Sequence, residues 1–166
     1  MSVEQVQRTV NNLDKEIADL EKKKSANMQK RVEWMLNIAI CDDDIQITGK
    51  IERLLQDIAK RNFVDTEIEV FWNGKSLADA IAAGERYDVI YLDIEMDKED
   101  GISAARRIRT YDKNVRIIYV TSHESYMRES FEVRPFQFLV KPVTDKIMEK
   151  CFKSVYEDIN SEDFYF

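Results

Sequence analysis

Leu36-Asn37-Ile38-Ala39-Ile40-Cys41-Asp42-Asp43-Asp44 is a short apolar run that stops at three carboxylates. The same punctuation recurs downstream: Val89 to Leu92 runs into Asp93, Val115 to Val120 into Thr121, and Phe136 to Val140 into Lys141-Pro142. In an open parallel sheet the carboxyl ends of the strands share one edge, where a crevice forms and ligands bind. If the four runs are strands of one sheet, residues far apart in sequence meet at that edge.

The segments between the runs carry helical spacing. The pattern predicts strand 36–41, helix 45–60, strand 67–72, helix 75–83, strand 88–93, helix 101–111, strand 115–120, helix 124–131, strand 136–140 and helix 144–158. Alternation of this kind specifies a doubly wound α/β domain with a five-stranded parallel sheet. Ile47, Ile51, Leu54, Leu55 and Ile58 form one apolar face at 3.6-residue spacing. The first, third and fourth strands are nearly all apolar, as burial on both faces requires, whereas Glu67-Ile68-Glu69-Val70-Phe71 alternates and fits an edge. Gly84 and Gly101 fall where a helix ends and where a loop turns, so backbone geometry is their expected role.

At 166 residues, 44% apolar and 34% charged, the chain suits one ordinary domain with an appendage. No apolar stretch approaches the roughly 20 residues that a membrane helix needs, and Met1-Ser2-Val3-Glu4 is no signal peptide, so a cytosolic protein with no membrane partner is expected. The cysteines, Cys41 in a strand and Cys151 in a helix, are expected to be small buried hydrophobes. Residues 1–33 hold 7 Lys and Arg against 6 Asp and Glu, which leaves 18 against 26 in the other 133. Such an acidic remainder repels a phosphate backbone, so direct DNA binding by this chain is not expected.

Residues 1–33 form a region of their own. Val3, Val6, Val10, Leu13, Ile17 and Leu20 step by 3, 4, 3, 4 and 3, the a/d spacing of a coiled coil. β-Branched residues at a favour a parallel pair, and hence a homodimer. Against that, the seam covers under three heptads before Lys24 reaches the next a position, and Glu16 would face Glu21 of a parallel partner. An amphipathic helix lying on its own domain or on a neighbour fits equally well. Met35, directly before the first strand, is a natural start for the α/β unit alone, which is expected over residues 35–158 with a tail at 159–166.

Asp42, Asp43 and Asp93 brought to one edge would repel one another and raise each other's pKa unless a cation sits among them. Oxygen ligands without nearby His or Cys point to a hard ion, and Mg²⁺ suits one or two carboxylates plus waters and a phosphate. Lys141 adds a positive charge and Thr121 a hydroxyl donor, an arrangement fit to stabilise a transferring phosphoryl group. A carboxylate can itself be the nucleophile, giving an aspartyl phosphate.

In this order, Ile38 to Asp44, Tyr87 to Met96, Asp100-Gly101, Tyr119-Val120-Thr121-Ser122 and Phe138-Leu139-Val140-Lys141-Pro142 resemble the receiver domain of two-component response regulators, over about residues 35–158. The resemblance implies the flavodoxin-like receiver fold and phosphorylation of Asp93 by a sensor histidine kinase. It implies that Asp43 ligates Mg²⁺ directly and Asp42 through water, with Asp93 and the backbone carbonyl of Glu95 completing the protein ligands. Thr121 would hydrogen-bond the attached phosphoryl group, Lys141 would pair with it, and the Lys141-Pro142 bond would be cis. Phe138 holds the switch aromatic position, swinging inward as Thr121 moves, and residues 124–158 would be the face that changes. Within the family, Ile38 to Asp44 and Arg134 to Pro142 look most like the LytTR-type transcription regulators, which normally continue into a DNA-binding domain. The chain is then expected to be a regulatory half.

Some positions depart from the pattern. Asp97 stands where a proline is common, and the loop Asp97-Lys98-Glu99-Asp100 is charged. His123 is expected to be an exposed loop residue, Asp44 the N-cap of the first domain helix, Arg134-Pro135 a connector, and Met148, Phe152 and Tyr156 core. Two other readings compete. A phosphorylation-independent interaction module would bind its partner regardless of Asp93. A Mg²⁺-dependent phosphohydrolase would need a second aspartate two residues on, where Glu95 stands.

Overall fold

A capping box starts the first element: Ser2 Oγ accepts from the Gln5 amide at 3.3 Å, and the Gln5 side chain accepts from the Ser2 amide at 2.9 Å. This satisfies two donors that a helix N-terminus otherwise leaves open. The computed structural model describes residues 2–162 and falls into two units that meet in sequence after Met35. The first unit is the helix α1 (Val3–Glu33).

The second unit alternates strands and helices: β1 (Leu36–Cys41), α2 (Ile45–Arg61), β2 (Thr66–Phe71), α3 (Gly74–Ala82), β3 (Val89–Leu92), α4 (Gly101–Tyr111), β4 (Arg116–Thr121), a broken segment, β5 (Gln137–Val140) and α6 (Asp145–Glu162). All four strand pairings are parallel and the order is β2-β1-β3-β4-β5. This is the expected doubly wound, flavodoxin-like sheet, with strand boundaries within a residue of expectation. Its strand order reverses between β1 and β3, and a ligand crevice forms outside the carboxyl ends of the strands at such a point.

The pleat sends alternate side chains to opposite faces. Ala39, Cys41, Ile90, Leu92, Ile117 and Tyr119 lie in one core with Leu77, Ile81, Ile102 and Ile108 of α3 and α4. Ile38, Ile40, Val89, Tyr91, Ile118 and Val120 are also buried and point the other way, as are Ile51, Leu55 and Ile58 of α2 and Met148, Phe152 and Val155 of α6. Tyr156 is only half-buried and stacks on Phe152. β2 is an edge, and its alternating burial matches the sequence pattern. Asp44 caps α2 as expected, accepting from the Gln46 and Ile47 amides.

Two expectations change. Residues 124–131 form no continuous helix: Glu124–Tyr126 is a 3₁₀ turn, α5 spans only Met127–Ser130, and Phe131–Val133 is again 3₁₀. The physical reason is the absence of a buried helical face, because Met127 and Phe131 are exposed and only Ser130 and Val133 are buried. Arg134 then turns left-handed with φ 51°. Arg109 holds this end, its guanidinium donating to the carbonyls of Val115 (2.6 Å), Val133 (2.8 Å) and Arg134 (3.1 Å). The second change is that α6 continues through residues 159–162, where the sequence pattern predicts a tail; residues 163–166 lie outside the described residues.

Candidate functional site

Strand register alone brings the site together. Cys41 pairs with Leu92 and Thr121 with Val140, so the residue after each strand end faces its neighbours: Asp42 and Asp43 after β1, Asp93 after β3, Thr121 closing β4, Lys141 after β5. The Asp93 amide donates to the Cys41 carbonyl at 2.9 Å and the Lys141 amide to the Thr121 carbonyl at 2.8 Å. Asp42, Asp43 and Asp93 each present a carboxylate oxygen within 4.8 Å of the others. Asp42 and Asp93 are buried and Asp43 is exposed.

Lys141 Nζ lies 2.7 Å from Asp42 Oδ2 and 3.4 Å from Asp93 Oδ2. Burial lowers the Lys141 pKa, but its hydrogen bond to Asp42 and the charges of Asp93 and Asp42 outweigh that, and the net shift is upward. Asp93 moves to about 6, chiefly because burial disfavours its charge and secondly because Asp42 repels it; Lys141 and the Ile94 amide only partly offset this. A raised carboxylate beside two others is the electrostatic signature of a site short of positive charge. Three oxygen donors of this geometry fit a hard divalent cation, for which charge balance here calls.

Thr121 is fully buried, and its hydroxyl accepts from the His123 amide at 3.5 Å. Phe138 is half-buried against the α3/α4-side core, its ring 6.1 Å from that of Tyr119. The Lys141-Pro142 peptide is cis, as expected. Cys41 is a free, buried thiol whose pKa burial and the neighbouring carboxylates push up. It contacts Met96 Sδ at 3.7 Å, and Cys151 is likewise buried; both are the small hydrophobes that were expected.

Three features escape the sequence. The Glu95 side chain ties two loops together: it pairs with His123 Nε2 at 2.8 Å and accepts from Tyr126 Oη at 3.0 Å. His123 is exposed as expected, yet partnered. Tyr126 packs its ring on the core, so Tyr126→Phe should keep the packing and lose only the hydrogen bond to Glu95. Amide exchange in residues 124–134 should then speed up; unchanged exchange would show that the tie holds nothing.

The second feature is the charged loop after Met96. Asp97 donates its amide to Asp43 Oδ2 at 3.3 Å, Asp100 caps α4, and Arg107 clamps Glu99 (3.0 Å) and Asp79 (2.6 Å). The third is Gly101. A Cβ there would collide with the Asp93 carbonyl oxygen and lie 2.8 Å from the Asp93 carbonyl carbon. The expected turn role is thus a close approach: the start of α4 presses on the backbone of Asp93, and the Gly101 amide donates to Ile94 at 2.8 Å. Gly101→Ala should lower stability by about 1–3 kcal/mol in urea unfolding, the range of overpacking, and a loss under 0.5 kcal/mol would mean that α4 simply shifts.

The model of the response regulator receiver domain matches residues 38–153. The chain belongs to that family. Among relatives of this receiver, the sensory transduction protein LytT of Bacillus subtilis is 26% identical over 77% of the chain and 51% of its own length. The transcriptional regulatory protein LytR of Staphylococcus aureus is 28% identical over 70% of the chain and 45% of its own length. The chain therefore spans about half the length of these relatives, and the resemblance to LytTR-type regulators stands. The receiver of AraT from Geobacillus stearothermophilus shares the fold, with a TM-score of 0.67 at 21% identity over 78% of this chain and 99% of that one. The response regulator TrrA of Thermotoga maritima, solved in complex with Mg²⁺ and BeF, has a TM-score of 0.64 at 26% identity over 73% of this chain and 99% of its own. Among the described residues no helix is long and apolar enough to cross a membrane.

Proposed function

We propose that this receiver is the phosphoacceptor switch of a cytosolic two-component response regulator and that Asp93 is the residue modified. An Asp93 oxygen attacks the phosphorus of a phosphohistidine on a sensor kinase; the P–N bond breaks, the histidine nitrogen keeps the electron pair, and an acyl phosphate forms on Asp93. The observation that carries the reading is the Lys141 ammonium between Asp42 and Asp93, because it places a fixed cation where phosphoryl charge would arrive. Thr121 supplies a hydroxyl hydrogen bond to the bound phosphoryl group.

Asp42, Asp43, Asp93 and the Glu95 carbonyl would hold Mg²⁺, which when bound neutralises charge on the phosphoryl oxygens and the carboxylates. Thr121 turning towards the phosphoryl group vacates space that Phe138 fills, and residues 124–158 change as a surface. The chain acts as a signalling domain and not as an enzyme, serving as the regulatory half of a transcription regulator that reaches DNA only through another domain. A small-molecule phosphodonor with Mg²⁺ should add one phosphoryl group by intact-mass spectrometry, and a chelator should reduce uptake to background. Equal uptake in chelator would remove the cation from the account; none under either condition would remove the function.

A further inference from the structure

Six apolar side chains of α1 stand exposed in one stripe: Val3, Val6, Val10, Leu13, Ile17 and Leu20, none less than 43% accessible. Their 3-4-3-4-3 spacing puts Val3, Val10 and Ile17 at a and Val6, Leu13 and Leu20 at d of a heptad. In proteins most helical stability comes from packing an amphipathic face rather than from propensity, so an exposed stripe of this kind calls for a cover. The spacing matches a facing helix of the same kind, and charge and volume decide its direction.

In a parallel pair every residue meets its own copy. Val6 would then sit at a d layer, where leucine is preferred; Glu16 would face Glu21 of the second copy; and Lys24 would face Lys24 across the next a layer. Three thin valine layers would also precede three thick ones. Reversing one helix so that paired residue numbers sum to 23 gives the layers Val3–Leu20, Val6–Ile17 and Val10–Leu13, each twice. Every layer then joins one valine to one larger side chain, which keeps the volume per layer constant as close packing requires. The flanking pairs become Glu16 with Thr9 and Asp14 with Gln7, with no like charges opposed. Lys24 passes beyond the end of the second helix and stays in water, so the seam stops where its apolar residues stop.

We infer that α1 is a dimerisation helix that pairs antiparallel with α1 of a second copy of this chain through the stripe Val3 to Leu20. This rests on α1 alone and is independent of the phosphoacceptor reading. The two chains leave such a pair at opposite ends.

Sedimentation equilibrium on the full chain should show mass rising from monomer towards dimer with concentration, and Leu13→Glu should stay monomeric over the same range. Direction is tested by mixing V10C and L13C chains one to one under mild oxidation, with the native Cys41 and Cys151 buried and out of competition. The mixed disulfide should predominate, because those two positions share a layer only when the helices run oppositely. Monomer at every concentration, a dimer that survives Leu13→Glu, or a predominance of self-linked products would each overturn the inference.

Discussion

Asp93→Asn should accept no phosphoryl group where the parent accepts one, and should at the same time be the more stable protein at neutral pH. The first effect follows from chemistry, since an amide offers no carboxylate oxygen as nucleophile. The second follows from the raised pKa. Asp93 titrates near 3.8 when unperturbed and at about 6 in the folded chain, mainly through burial. Between those values the folded state holds a proton that the unfolded state has released. Stability of the cation-free parent therefore falls as pH rises from about 4 to about 6 and stays low above it, by about 3 kcal/mol in total. Asparagine keeps a carbonyl to accept from the Ile94 amide and carries no charge, so its contribution to stability is flat across that window. Urea unfolding in chelator at pH 4.5 and 7.5 should show a gap between parent and variant that opens with pH; a variant less stable than the parent at pH 7.5 would contradict the electrostatic account.

Lys141→Met should act in the opposite direction on stability and the same direction on chemistry. The lysine is mostly buried and pairs with two carboxylates, one of them 3% exposed. Methionine fills much of the same volume, so the loss is one of charge. Removing one partner from a buried ion pair leaves the other uncompensated, at a cost of about 3–5 kcal/mol. That cost should shrink as pH falls and Asp93 gains its proton, and shrink again with millimolar Mg²⁺, because a cation among the three carboxylates replaces part of the missing charge. Phosphoryl uptake should fall at every Mg²⁺ concentration. A loss below 1 kcal/mol, or one that neither pH nor Mg²⁺ alters, would show that the ammonium does not balance this site.

The sheet and the convergence of Asp42, Asp43, Asp93, Thr121 and Lys141 were legible because each strand is an apolar run ended by a polar residue, and parallel pairing sends those ends to one edge. The edge character of β2 was legible from its alternation and the cap at Asp44 from its position. In residues 124–131, Met127 and Phe131 stand four apart as on a helical face, whereas packing covers Ser130 and Val133 and part of Tyr126. Gly101 read as a turn, since nothing in a sequence reports that another backbone passes against one Cα. The ties of Glu95 to His123 and Tyr126, and of Arg109 to the carbonyls of Val115, Val133 and Arg134, join loops by side-chain reach, which periodicity does not encode. Arg109 carried no signal beyond a basic residue near a helix end, whereas Glu95 and His123 each stand two residues beyond a site residue, and that shared spacing was the one available clue.

A phosphoryl group should become attached to Asp93, in a site balanced by Lys141. Borohydride reduction of the phosphodonor-treated protein, followed by peptide mass spectrometry, reads the attachment point, since an aspartyl phosphate is reduced to homoserine at the residue that carried it. Homoserine is expected at position 93 and nowhere else. Homoserine at position 42 or 43, or phosphate retained on Thr121, Ser122 or His123, would mean that Asp93 is not the acceptor.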